Sequence, residues 1–460
     1  MQPLITQNIY CIFFPFLVNS KPNDNYGSLY LRLGSILFGF GSLLYSGLEI
    51  AMFVELSFRH SEKTNKYDFD STNGYFSLLR AVLQTIFVLV QMFFIFLNGR
   101  LNIHFSKAAS RIGIMNLIST NICMWMDVLI SEINYKITKN DKDTNSNHLW
   151  NNIDIYEDQK NYFSDLFSKC RSLLYFCTII YNLISAGILL ELWTNLKNSS
   201  TYFKPILVKI HESNKKNDGC NVPKSHSIGL ILGIIFTILV VISEISTLIL
   251  WNYPNLRNFT LSLMISTELM IYIVLTIAVL IGFYQINSLG DRTLKMNLDI
   301  GLLALSQIGM LIYAGFIMVA SYFQILEQST NNKDEYELVK QILIFSTSFF
   351  NFAQSVLQTL LIMMIGNCKK LSENQNNMKM SGLPSVLMFL AISNFTIWMI
   401  LIFKIIEYPE KIQIDYINGN LVWTIIQTSV FPLVIFYRLQ SSVCFTEIWK
   451  RAYCTSKNQT

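Results

Sequence analysis

The chain has 460 residues, 52% of them hydrophobic and only 14% charged, with a mean hydropathy of +0.38. Water-soluble domains carry roughly 25% charged residues, so this composition excludes an ordinary soluble domain and makes lipid the solvent. The net charge of +5 sits in the stretches between apolar segments, which speaks for membrane topology and against nucleic-acid binding.

A spanning helix needs roughly 20 mostly apolar residues. From the N-terminus, 10–18 (YCIFFPFLV) is apolar but too short to span, and without a basic stretch before it does not read as a secretory signal. Four spanning segments follow, at about 29–54, 75–98, 109–133 and 168–195. The stretch 134–167 between the last two, rich in Asn, Asp and Lys, reads as a solvated connection with room for a short helix. A polar, lysine-bearing stretch then leads to six more segments, at about 226–251, 258–286, 297–323, 338–366, 382–406 and 421–448. The expected fold is an all-α polytopic membrane protein with ten transmembrane helices. Its expected organisation is an N-terminal segment (1–28), a first half of four helices (29–195), a linker (196–225), a second half of six helices (226–448) and a tail (449–460).

The two halves share residues in the same order. Gly41, Tyr45 and Gly47 are matched by Gly309, Tyr313 and Gly315; Leu83-Gln84-Thr85 by Leu357-Gln358-Thr359; Asn121 and Trp125 by Asn394 and Trp398. Tyr181, Leu183, Ser185, Glu191 and Trp193 are matched by Tyr437, Leu439, Ser441, Glu447 and Trp449. Four collinear matches predict a duplicated bundle. The Gly-Tyr-Gly segments are the first and seventh, both odd, so the repeat is parallel, an arrangement common among transport proteins. Two helices precede this segment in the second half and none in the first. The chain therefore reads as a six-plus-six plan without its first two helices.

Lys and Arg collect on the cytoplasmic side of membrane proteins. With the N-terminus inside, the inner loops hold Arg100, Lys107, Arg111, Lys197, Lys204, Lys209, Lys215, Lys216, Lys224, Arg292, Lys295, Lys369, Lys370 and Lys379, and the tail holds Lys450, Arg451 and Lys457. Outer loops carry acids such as Asp334, Glu335, Glu337, Glu407, Glu410 and Asp415. Both termini are expected to be cytoplasmic. The eight cysteines form no zinc-type pair or disulfide framework. No phosphate loop, metal-ligand cluster or nucleophile constellation is present, which excludes the common enzyme classes and calls for no cofactor.

Charge inside a bilayer costs on the order of 2.5–3.5 kcal/mol per residue by insertion scales, so embedded polar groups carry the functional question. The buried-looking acids are Glu49, Asp127, Glu244, Glu268 and Asp299. Glu49 follows the Gly-Tyr-Gly motif, with Arg80 its possible partner; Asp127, Glu244 and Glu268 read as structural. Glu191 and Glu447, beside Trp193 and Trp449 near cytoplasmic helix ends, read as interfacial anchors. The repeated trio Gln84, Asn121 and Tyr181, matched by Gln358, Asn394 and Tyr437, consists of groups that both donate and accept hydrogen bonds. Such a trio can lock helices together or line a narrow wet path along which protons hop. Gly41, Gly47, Gly309 and Gly315 read as sites of close helix contact, and Pro432 as a kink in the last helix.

The stretches RLGSILFGFGSLLYSGLEI, LISTNICMW, VLQTLLIMMI and PLVIFYRLQSSVCFTEIWKRAY resemble the otopetrins, a family of proton-selective channels, and the similarity runs from residue 29 onward. The resemblance implies twelve helices in two homologous halves, assembly as a homodimer, and a proton channel of the plasma membrane opened by extracellular acid. It also implies that each Gln-Asn-Tyr set stands at the constriction of its half. Otopetrins commonly carry a glutamate where this chain has Ile180 and a histidine where it has Gln440, which weakens a route between the halves. The expected proton pathway is Gln358, Asn394 and Tyr437, with Gln84, Asn121, Tyr181 and Glu49 in the first half. Partners are protons and membrane lipid. All five histidines (His60, His104, His148, His211 and His226) fall in loops or at membrane edges. His60 and His148, in the outer loops 58–74 and 134–167, are candidates for acid or zinc sensing, their unperturbed pKa being about 6.5, or solvated residues with no role. A coupled secondary transporter and a non-conducting subunit remain as alternative readings.

Overall fold

The computed structural model describes residues 29–62, 71–98, 107–143, 162–198, 226–286, 298–331, 335–366, 382–407 and 421–453. They form ten α-helices: α1 (Leu29–Glu62), α2 (Ser71–Asn98), α3 (Lys107–Asp143), α4 (Tyr162–Asn198), α5 (His226–Trp251), α6 (Arg257–Ile286), α7 (Leu298–Asn331), α8 (Glu335–Gly366), α9 (Leu383–Glu407) and α10 (Leu421–Tyr453). All ten contain a stretch long and apolar enough to cross a membrane. Helices are the outcome because hydrocarbon supplies no partner for a backbone N–H or C=O, and only intrahelical bonds satisfy both.

Several helices run past the apolar stretch that announces them. α3 continues to Asp143 and α4 begins at Tyr162, so much of the expected 134–167 connection is helical. Its polar composition reads as loop, yet the two helices are clamped there: Arg171 Nε meets Glu132 Oε2 at 2.6 Å, and the guanidinium lies 4.1 Å from the centre of the Tyr135 ring. α10 continues to Tyr453, past the expected end at 448. It also runs through Pro432, which offers no amide to the carbonyl of Thr428.

The helices divide into two compact units, within Met1–Ile206 and Leu207–Thr460. In the first unit α1 packs on α2 and α4, and α3 packs on α4. In the second, α7 packs on α8 and α10, and α9 packs on α10. There α6 lies against α8 and α9, and α5 lies against α9. α5 shows how one helix serves both lipid and protein: Ile231, Ile235, Ile238, Leu239, Ile242 and Ile249 are exposed, while Glu244 and Thr247 are buried.

Side-chain size decides where helices touch. A Cβ at Gly41 would stand 2.5 Å from Cys177 Cβ, and one at Gly309 would stand 2.5 Å from Leu433 Cβ. Nothing lies within 4 Å of a Cβ placed at Gly47 or Gly315, so the close contacts belong to the first glycine of each Gly-Tyr-Gly motif. The tightest approach is elsewhere: a Cβ at Gly229 of α5 would stand 2.0 Å from the Ser385 carbonyl oxygen of α9. Because backbone cannot swing aside, Gly229→Ala should lower thermal stability by about 1–3 kcal/mol, as overpacking does. Gly315→Ala should leave it unchanged. Unfolding of both purified variants in detergent is the check; equal midpoints would mean that α5 does not seat on α9 this closely.

Candidate functional site

α8 carries a polar stripe on an apolar helix. Asn351, Gln354, Ser355, Gln358 and Thr359 recur at helical spacing on one face, and all five are buried. α9 brings Asn394, α10 brings Tyr437 and Arg438, and α7 brings Gln307 to the same place. Gln358, Asn394, Tyr437 and Arg438 are each fully enclosed.

The three residues singled out from the second half meet. Gln358 Nε2 donates to Asn394 Oδ1 and Asn394 Nδ2 donates back to Gln358 Oε1, both at 3.0 Å. Gln358 Nε2 also reaches Tyr437 Oη at 3.4 Å, and that hydroxyl donates to the Ser355 carbonyl at 2.9 Å. Thr359 Oγ1 lies 3.1 Å from Tyr437 Oη and donates to Gln307 Oε1 at 2.9 Å; Gln307 Nε2 in turn reaches Ser355 Oγ at 3.3 Å. Gln354 Nε2 donates to Gln358 Oε1 at 2.7 Å. The result is a continuous chain of neutral donors and acceptors across four helices.

Arg438 closes it. Its Nη1 donates to Gln354 Oε1 at 2.8 Å and Asn394 Oδ1 at 3.4 Å, and its Nη2 donates to Asn351 Oδ1 at 2.8 Å. The guanidinium also lies 5.4 Å from the Tyr272 ring centre. These three acceptors are neutral amide oxygens, and the Tyr272 hydroxyl also meets the guanidinium. Arg438 was visible in the FYR run, and a cation at that depth of an apolar segment is the signal that could have singled it out.

The first unit is wired differently. Asn121 Oδ1 accepts from Gln91 Nε2 at 3.0 Å, and Asn121 Nδ2 donates to the Leu117 carbonyl of its own helix at 2.7 Å. Gln84 is buried with its Nε2 unpartnered, while Tyr181 Oη donates to the Val88 carbonyl at 3.2 Å. Gln84, Asn121 and Tyr181 therefore do not bond to one another, and Gln91, two turns beyond Gln84, partners the asparagine. Glu49 does find Arg80, at 2.7 Å from Nη2, and Arg80 Nη1 also holds Asp127 at 2.9 Å.

In the second unit, Glu244 of α5 and Glu268 of α6 share Lys404 of α9. Lys404 Nζ lies 3.4 Å from Glu244 Oε1 and hydrogen-bonds to Glu268. The embedded lysine, which the sequence does not single out, joins two of the embedded acids. Asp299 stands in the first turn of α7, where a carboxylate favours the helix dipole. The Asp299 carbonyl accepts from Gln440 Nε2 at 3.1 Å. Ile180 is fully buried. The His60 and His148 side chains lie outside the described part of the structure. Among the described residues, no cluster of three or more His, Cys, Asp or Glu could hold a metal ion.

Comparison with known proteins adds an independent finding. The sequence matches the Otopetrin family model over residues 30–158 and 151–439. It is 29% identical over 469 aligned residues to the proton channel OtopLc of Drosophila melanogaster, which covers 94% of this chain and 28% of that protein. With the proton channel OTOP2 of Mus musculus it shares 27% identity over 107 residues, covering 23% of this chain and 16% of that protein. The matched stretches thus span less than a third of either relative's length.

Proposed function

The chain belongs to the otopetrin family, and we propose that it carries protons into the cell in response to extracellular acid, along the side-chain network of its second unit. The observation that carries this reading is the reciprocal Gln358–Asn394 amide pair, joined directly to Tyr437. Each member is fully enclosed, so no hydrated metal ion fits beside it. A proton needs no such room, because it crosses by exchange along hydrogen bonds whose donors and acceptors are already aligned. In the first unit Gln91 rather than Gln84 bonds Asn121, and Tyr181 bonds a backbone carbonyl instead of either side chain, which favours the second unit as the path. The neighbour pattern of α1–α4 recurs in α7–α10 and supports reading the units as products of a duplication. Loop charge supports cytoplasmic termini, and similarity to two proton channels supports protons as the conducted ion.

Expression in cells lacking acid currents tests the reading. A drop in external pH should evoke inward current whose reversal follows the proton gradient and ignores replacement of sodium by a large organic cation. An epitope in 196–224 should be reachable only after permeabilisation, and the purified particle should have the mass of two chains. Surface protein that passes no current, or current that follows sodium, would sink the proton-channel reading.

A further inference from the structure

We propose that Arg438 is a tethered cation filling a cage of amide oxygens, and that it thereby keeps metal cations out of the second unit's network. The inference rests on the proton-path reading above and names the residue that would give that path its selectivity. Asn351 Oδ1, Gln354 Oε1 and Asn394 Oδ1, from two helices, converge on one guanidinium at 2.8, 2.8 and 3.4 Å. Oxygens of this type are what sodium, potassium and calcium accept in exchange for water. With the guanidinium removed, the three would face one another buried, two of them with no other donor among the described residues and Asn394 Oδ1 with Gln358 Nε2 alone. A small cation supplies what they lack.

The first unit shows the alternative. Arg80 is held by two carboxylates, Glu49 and Asp127, and its charge is cancelled on the spot. Arg438 is held by neutral amides and retains its positive field, so a second cation is opposed both by occupancy and by repulsion. The other groups facing Arg438 are the Tyr272 and Tyr437 rings, and Glu268 and Lys404 are near enough to act on Tyr272 as well. Guanidinium does not lose its proton in proteins, so the cage is filled at every working pH. Transfer through Gln358, Tyr437, Thr359 and Gln307 does not use the Asn351 or Gln354 oxygens, and Asn394 is the one residue that plug and path share.

The test compares wild type with Arg438→Ala as purified full chains in lipid nanodiscs, unfolded thermally in choline, sodium or potassium chloride at equal ionic strength. Sodium or potassium should raise the midpoint of the variant and leave wild type unmoved, and low guanidinium chloride should do the same by refilling the cage. Adding Asn351→Leu and Gln354→Leu to the variant should abolish this dependence. In proteoliposomes the variant should admit potassium about tenfold faster or more, the scale of a unit charge's repulsion across about 12 Å at an effective dielectric constant near 20. A folded Arg438→Ala chain indifferent to sodium, potassium and guanidinium overturns the proposal. If that chain does not fold, Arg438→Lys decides: its ammonium fits the cage but can deprotonate, so potassium should stabilise it increasingly as pH rises. A flat response overturns the proposal equally. The stability readouts need no conduction, so a chain that passes no protons would fail the functional reading without touching this one.

Discussion

Acid-evoked current should fall about tenfold or more in Asn394→Leu while surface expression stays near wild type. The substitution keeps approximate size but removes the acceptor that takes Gln358 Nε2 and Arg438 Nη1, and the donor that serves Gln358 Oε1. A tenfold loss corresponds to only about 1.4 kcal/mol of added barrier, less than the cost of several buried polar groups left unmet at about 1–3 kcal/mol each. If the network merely fastens helices, the loss would be about 0.6–2 kcal/mol of stability. It would then appear as fewer channels at the surface, each conducting normally. Surface biotinylation beside whole-cell recording separates the two. Asn121→Leu breaks a single interhelical bond, from Gln91, and should reduce current less. Current abolished by Asn121→Leu and spared by Asn394→Leu would move the path to the first unit.

Lys404→Met should be the most damaging single change to folding. It strips the shared cation from Glu244 and Glu268, whose side chains are 7% and 28% exposed. Breaking a buried ion pair from one side costs about 3–5 kcal/mol, because the remaining charge stays in the interior unmatched. The expected result is loss of surface protein and a marked fall in the unfolding midpoint. Adding Glu244→Gln and Glu268→Gln should restore most of both, since the stranded charges go with the lysine. A single variant as stable as wild type would mean that these carboxylates are solvated or neutral. A triple variant no better than the single would mean that Lys404 acts through packing.

Much of this molecule is legible in one dimension, because the preference of a segment for hydrocarbon is a local property that sums along the chain. All ten helices follow from it, and so does the polar stripe of α8, whose residues return at helical spacing. The Glu49–Arg80 pair was also within reach, two opposite charges on consecutive helices that could not both stay unpaired in lipid. Helix ends were less visible: the polar turns of α3 and α4 look like loop until Arg171 is seen to clamp them to each other through Glu132.

Which polar groups meet across helices depends on axial offset and rotation, and no local pattern encodes these. The repeated Leu-Gln-Thr motif marks Gln84 and Gln358 as equals. In the second unit Gln358 lies level with Asn394. In the first, Asn121 lies level with Gln91, on the same face of α2 two turns further along. The same holds for the glycines, since four looked alike and only Gly41 and Gly309 came to lie against a neighbouring helix. It holds most for Arg438 and Lys404. A cation in an apolar segment announces that a partner must exist, but whether that partner is a pair of carboxylates or a cage of amides was decided only when the helices packed.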